Sequence, residues 1–171
     1  VIVGHIVNIK TMADITQAHI EALNANNYDF KQLPAQYALK VGSGKKKLAV
    51  FIDPDCPYCQ QLEAYLQANQ DKLTIYYLFM PLSMHPNAVP HTKQILCSNN
   101  PSKALFDIMV NRQELAAGSA SCQSKVDKQL TSIAEFTRNN GINSTPYIIT
   151  DTNQVIGGFN VPAIQKFMET K

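Results

Sequence analysis

The sequence predicts an α/β domain: two parallel strands around a cysteine-bearing helix, then a helical insertion, a hairpin and a closing helix. Three observations carry that expectation. Residues 48–52 and 73–80 are near-continuous apolar runs, as in strands buried on both faces, and a segment with helical periodicity separates them. A strand, a helix and another strand in so short a span make a right-handed βαβ unit. Residues 86–140 contain no strand-like run, whereas 146–150 and 154–157 are short apolar segments flanking Asp151-Thr152-Asn153, a hairpin turn.

The totals narrow the possibilities. A chain of 171 residues holds one packed domain with room for an insertion. Apolar content of 45% argues against disorder, and a net charge of +2 leaves no electrostatic footprint for nucleic acid or an anionic membrane surface. The one basic run, Lys45-Lys46-Lys47, reads as a solvated lead-in to a strand. No apolar stretch approaches bilayer-spanning length, so a membrane protein is not expected. The first residues, VIVGHIVNI, read as the middle of a longer module, processed or trimmed.

Taken in order, residues 1–9 are β-branched and apolar, a strand of that module. Asp14 or Thr16 then serves as an N-cap, with Gln17 placed for a capping box with Asp14. The helix that follows, to about Asn26-Asn27, carries little beyond Ile20 and Leu23 on its apolar side and reads as a linker. Residues 28–34 form a hinge, 37–41 a short strand, and Gly42-Ser43-Gly44 a turn. From Cys56 the apolar positions Cys59, Leu62 and Leu66 recur at helical spacing to about Gln70, burying Cys59 and leaving Cys56 at the helix mouth. Tyr76, Tyr77 and Phe79 read as strand packing. Helical patches follow at 88–97, 103–110 and 122–140, and Val161-Pro162 opens the last helix.

The chemistry is concentrated in Cys56-Pro57-Tyr58-Cys59. Two cysteines separated by two residues at a strand-to-helix junction form a redox site. The unpaired N–H groups and partial positive charge of a helix N-terminus stabilise a thiolate relative to a thiol. Cys56 is therefore the expected nucleophile and Cys59 the resolving thiol, with Pro57 and Tyr58 tuning thiolate stability. Cys97 and Cys122 are far apart in sequence and lack reactive-looking surroundings. They suggest a structural disulfide and an oxidising compartment, although buried free thiols are also common. Such a bond would close about 26 residues, worth roughly 3–4 kcal/mol by loop entropy. No metal site is expected, because structural zinc sites use two closely spaced pairs and the second pair here is 25 residues apart. Haem attachment is excluded, since Gln60 follows Cys59 where a His is required. No cofactor is expected.

The order of elements, the segment FIDPDCPYC, Thr145-Pro146 and the pair Cys97/Cys122 resemble the bacterial periplasmic disulfide isomerase family, DsbC and DsbG. The resemblance covers about residues 10–171. It implies a thioredoxin-like fold with an inserted helical subdomain (about 86–140), and a cis-proline at Pro146 facing the dithiol. The CPYC sequence is DsbG-like, and the second cysteine pair is a DsbC-like feature. Thr145 before the proline looks like the isomerases, where DsbA-like oxidases usually carry Val and thioredoxins Ile. Family members carry an N-terminal dimerisation domain and a linker helix. The expected organisation is therefore a remnant strand of that domain at 1–13, linker helix and hinge at 14–36, and a catalytic domain at 37–171.

The resemblance implies a periplasmic enzyme that isomerises or reduces non-native disulfides in exported proteins. Thr145 and Pro146 would offer backbone groups to an extended substrate. It also implies a membrane thiol reductase (DsbD-like) that keeps the dithiol reduced, and a homodimer when the N-terminal domain is complete. A monomeric oxidase or reductase, and a chaperone-like binding protein with a secondary dithiol, are the competing readings. Asp53 and Asp55 are expected to cap the active-site helix, with proton transfer to Cys59 the lesser alternative. His85 and His91 read as surface residues, and the sequon Asn143-Ser144-Thr145 as accidental.

Overall fold

The computed structural model describes residues 28–170, together with the strands β1 (Val7–Asn8) and β2 (Ala13–Asp14). β1 and β2 pair antiparallel, with Asp14 opposite Val7, so Asp14 lies in a strand. The rest of the expected linker helix, through residue 27, lies outside the described residues.

Two 3-10 turns, Phe30–Gln32 and Ala35–Tyr37, lead into β3 (Leu39–Val41). β4 (Lys46–Ile52), α1 (Pro57–Gln67) and β5 (Leu73–Phe79) follow. The helices α2 (Ala88–Leu96), α3 (Pro101–Met109) and α4 (Ala120–Asn139) come next. β6 (Tyr147–Thr150), β7 (Val155–Gly157) and α5 (Val161–Glu169) complete the chain. Prolines near the starts of α1, α3 and α5 cost no intrahelical hydrogen bond, because first-turn N–H groups have no partner within the helix. Asn100, Ser119 and Asn160 cap α3, α4 and α5 by accepting from the N–H three residues on.

The sheet runs β3-β5-β4-β6-β7, with β4 and β5 parallel and every other pair antiparallel. Strand alternation divides its side chains between two cores. Leu48, Val50, Ile52, Ile75, Tyr77, Phe79 and Ile148 pack with Leu62, Leu66, Leu105, Ile164 and Phe167 on one side. Ala49, Phe51, Leu78, Tyr147 and Ile149 pack with Ile133 and Ile142 on the other. Helices cover both faces, which is why β4 and β5 read as unbroken apolar runs.

The segment read as a hinge is anchored. Tyr28 and Leu33 are buried in the second core, and the Tyr28 hydroxyl donates to the Asn140 carbonyl at 2.6 Å.

Within the helical region, Cys97 at the end of α2 is bonded to Cys122 in α4, with 5.9 Å between their Cα atoms. Gly118, in the strap joining α3 to α4, has φ +74° and lies against Cys97. A Cβ there would meet the Cys97 Cβ at 2.4 Å, so only glycine passes.

Register brings the functional loops together. Ile52 pairs with Phe79, and the Met80 N–H donates to the Ile52 carbonyl at 2.7 Å, so the segment after β5 leaves the sheet beside the end of β4. Phe51 pairs with Tyr147, which puts Thr145 and Pro146 at that same end.

Candidate active site

β4 gives way to Asp53-Pro54-Asp55-Cys56. Cys56 is the N-cap of α1 in extended conformation, and its carbonyl accepts from the Gln60 N–H. No side chain caps this helix end. Asp53 and Asp55 therefore do not have the capping role expected of them. Asp53 is fully buried, and its carboxylate accepts from the Asp55 N–H (2.7 Å), the Leu82 N–H (2.7 Å) and His85 Nδ1 (2.9 Å). It ties the cysteine loop to the loop after β5.

Cys56 and Cys59 are free and buried. Cys56 retains 5% exposure and Cys59 none, so the first sulfur is the one closer to solvent. The thiol of Cys56 lies 3.5 Å from the Thr145 carbonyl, and the Asp53 N–H points at Cys59 Sγ at 3.5 Å. The peptide bond between Thr145 and Pro146 is cis. The Thr145 hydroxyl is buried and helps lower the pKa values of both thiols.

These surroundings separate the two thiols. A hydrogen bond from Cys59 lowers the pKa of Cys56 to about 5. Burial opposes this, and the N–H groups of Cys59 and Tyr58 and the Thr145 hydroxyl assist it. Cys59 moves the other way, pushed far up by burial and by its hydrogen bond to Cys56. One proton is thus shared unequally, with Cys56 as the anion and Cys59 as its donor.

Pro57 is the first helical residue of α1, and Tyr58 stands out at 62% exposure. Met84 (75%) and Val89 (39%) are the other exposed large apolar side chains among the described residues. They flank His85 in sequence, on the loop after β5 and the first turn of α2. Cys97 and Cys122 belong to the helical region and do not join the dithiol.

The two histidines read as surface residues are held in the structure. His85 Nδ1 meets Asp53, and the pKa of His85 is raised, chiefly by that bond. His91, in α2, is flanked on both ring nitrogens: Nδ1 lies 2.5 Å from Asp55 Oδ1, and Nε2 lies 3.0 Å from Glu114 Oε1. A sequence signal for them exists, because in a parallel βαβ unit the loop after the second strand emerges beside the loop after the first. Glu63, one turn after Cys59 on α1, was not singled out by sequence reasoning. Its carboxyl oxygens and the Tyr77 hydroxyl are buried without a hydrogen-bond partner, and burial pushes the Glu63 pKa up to about 7. Tyr77 itself packs in the core as its strand pattern predicts.

The thioredoxin-like domain family matches residues 33–169. A "Probable thiol:disulfide interchange protein DsbC" of Bordetella avium is 31% identical over 162 residues, covering 94% of this chain and 55% of that protein. Its counterpart in Bordetella pertussis is 33% identical over 129 residues, covering 74% and 44%. The chain thus spans about half the length of the curated relatives it matches. Among solved structures, a disulfide interchange protein from Neisseria gonorrhoeae superposes with a TM-score of 0.63 at 26% identity, covering 80% of this chain and 96% of that one. The catalytic domain of Proteus mirabilis ScsC, at 16% identity and a TM-score of 0.58, shares the fold.

Proposed function

Because this chain belongs to the thioredoxin-like domain family, we propose that it catalyses thiol–disulfide interchange on exported proteins, with Cys56 as nucleophile and Cys59 as resolving thiol. The observation that carries this reading is the split between the two sulfurs, one lowered to about 5 and its neighbour raised, beside a cis-proline. The relatives' names support the same chemistry.

In the proposed cycle the Cys56 thiolate attacks one sulfur of a substrate disulfide. A mixed disulfide forms and a substrate thiolate leaves. That thiolate either attacks another disulfide of the same substrate, releasing a new substrate thiolate that attacks the substrate sulfur of the mixed disulfide and expels the Cys56 thiolate, or persists. If it persists, Cys59 gives up its proton and attacks Cys56 Sγ. The substrate departs as a dithiol and the Cys56–Cys59 disulfide remains, two electrons having passed to the substrate. An external dithiol must then restore the reduced state, and a membrane thiol reductase is the proposed source. A low Cys56 pKa serves release as well as attack, because a better-stabilised thiolate leaves more readily.

Thr145 and Pro146 are the proposed platform for an extended substrate segment, and Tyr58, Met84 and Val89 give its side chains an apolar rim. Pro57 and Tyr58 tune the thiolate. The proposed setting is the periplasm, supported by the Cys97–Cys122 disulfide, since such bonds persist in oxidising compartments. No helix among the described residues is long and apolar enough to cross a membrane. The proposed organisation remains a remnant of a dimerisation module at 1–13, a linker at 14–36 and a catalytic domain at 37–171. Assembly through that module would yield a homodimer.

The test is reactivation of a scrambled multi-disulfide protein by the reduced chain. Isomerisation requires faster recovery than an equimolar simple dithiol gives; parity with the simple dithiol rejects it. One observation favours a second reading, oxidation of substrate dithiols. A Cys56 held near pKa 5 stabilises the reduced form and raises the reduction potential. Equilibration with a glutathione redox buffer separates the two, because an oxidase stays reduced under far more oxidising conditions.

A further inference from the structure

His91 has a carboxylate on each ring nitrogen: Asp55 on the nucleophile's loop and Glu114 on the strap between α3 and α4. An ionised carboxylate only accepts hydrogen bonds, and a neutral imidazole has a single N–H. Donating on both sides therefore requires the imidazolium. The ring is 15% exposed, Asp55 20% and Glu114 74%, so the Asp55 side is the drier half of the bridge.

The strap that brings Glu114 is itself fixed to α2. Gln94 donates from Nε2 to Glu114 Oε2 at 3.0 Å, and its Oε1 accepts from the Leu115 N–H at 3.1 Å. Farther along, Gly118 rests on Cys97. Asp55 immediately precedes Cys56 on the active-site loop.

We propose that His91 is a positioning residue for exchange at Cys56: its imidazolium cancels the Asp55 charge beside the nucleophile and ties the active-site loop to the strap, so its deprotonation disfavours the thiolate. This rests on Cys56 being the attacking thiol. The other charged groups around the ring are few. Arg112 lines the same cavity, of about 130 Å³, with Asp55, Gln60 and Glu114, and brings a guanidinium to it. Lys93, on the same helix, is turned to Asp127 of α4 at 2.7 Å. His85 is engaged by Asp53 on the neighbouring loop, and the charges of Cys56 and Asp55 also help raise its pKa. Burial lowers the His91 pKa, the two carboxylates raise it, and the net shift is upward. Proton loss therefore comes above the ordinary histidine range. The coupling is reciprocal, so conversion of Cys56 from thiolate to disulfide lowers the affinity of His91 for its proton.

The experiment uses the whole reduced chain. Ionisation of Cys56 is followed by ultraviolet thiolate absorbance and by site-resolved iodoacetamide alkylation across pH. His91→Gln leaves Asp55 uncompensated and raises the Cys56 midpoint by about half to one unit, a roughly three- to tenfold loss of thiolate below it. Adding Asp55→Asn to that variant returns the midpoint toward the wild type, a rescue that a purely structural role would not give. In the wild type, ring 15N shifts show both His91 nitrogens protonated at neutral pH.

An unchanged midpoint in His91→Gln, or a neutral His91 ring at pH 7, overturns the inference while the proposed function stands. A wild-type Cys56 with an ordinary thiol midpoint overturns the function instead. Where His91→Gln does not fold, Glu114→Gln at the exposed end carries the test. It lowers the His91 pKa, and in the wild type that pKa falls when Cys56 goes from thiolate to disulfide; no change in either sinks the proposal.

Discussion

The two cysteine pairs occupy opposite kinds of surroundings within one domain. Cys56 and Cys59 share a helix mouth where N–H groups, a buried hydroxyl and unequal burial drive the two thiols apart in acidity. Cys97 and Cys122 join two helices across a strap and are already bonded. Reactivity follows from placement: three residues of separation at a helix N-terminus leave a thiol poised, whereas 25 residues of separation between helices make a staple.

The sharpest way to break this contrast is to exchange the roles. Cys56→Ser removes the proposed nucleophile, and disulfide exchange is expected to fall to the uncatalysed background in an otherwise folded protein. Replacing Cys97 and Cys122 together with alanine should leave exchange intact at low temperature. It should cost about 3–4 kcal/mol in a denaturant titration, the loop-entropy value for a closure of this length. A folded double variant without exchange activity would show that the staple also shapes the site.

Acidity provides the next test. Alkylation of reduced protein should modify Cys56 with a midpoint at about pH 5, while Cys59 resists until strongly alkaline conditions. Equal labelling of the two sulfurs at neutral pH would erase the proposed division of labour.

Glu63 supplies a smaller effect from beneath the dithiol. Its folded pKa, about 7, lies above the usual glutamate value of 4.5, so the native state holds a proton that the unfolded chain releases. Stability attributable to this group is highest at acid pH and is lost as pH rises from 4.5 through about 7. Glu63→Gln should therefore gain up to roughly 3–3.5 kcal/mol over the wild type in mildly alkaline buffer, at about 1.4 kcal/mol per unit, and little in acid. A pH-independent difference in urea midpoints would reject the buried-carboxyl account.

The smallest expected change is at His85. Its pKa is raised by Asp53, so the pair's stabilisation is complete below pH 6.5 and fades as pH rises through the raised value. Because the ring is partly solvated, His85→Gln should cost less than about 1 kcal/mol, and only on the acid side. Parallel denaturation curves in acid and alkali measure it.

Much of this fold was legible because it is locally encoded. β4 and β5 are buried on both faces and so spell unbroken apolar runs, and three helices begin near prolines. Cys56 and Cys59 are equally legible, being three residues apart at a helix start. Asp53, Asp55, His85, His91 and Glu114 were not. Their partners lie 20 to 36 residues apart along the chain, and only the register of β4 with β5 and the path of the strap bring them together. A polar residue in a loop looks solvated until the topology says which other loop it faces. Glu63 was hidden differently, since a glutamate on a helix reads as surface unless the helix is covered on that side.

The sheet's edges carry a consequence of their own. Among the described residues, β3 and β7 terminate the ladder at three residues each, one beginning after a 3-10 turn and the other ending at Gly157. A protein proposed to meet partly folded chains works among exposed strands in search of partners. Long, flat margins would recruit those chains into mixed sheets, whereas margins this short offer too few open backbone groups to hold one. Selective contact at the cysteine end and indifference at the flanks would keep client handling from turning into coaggregation.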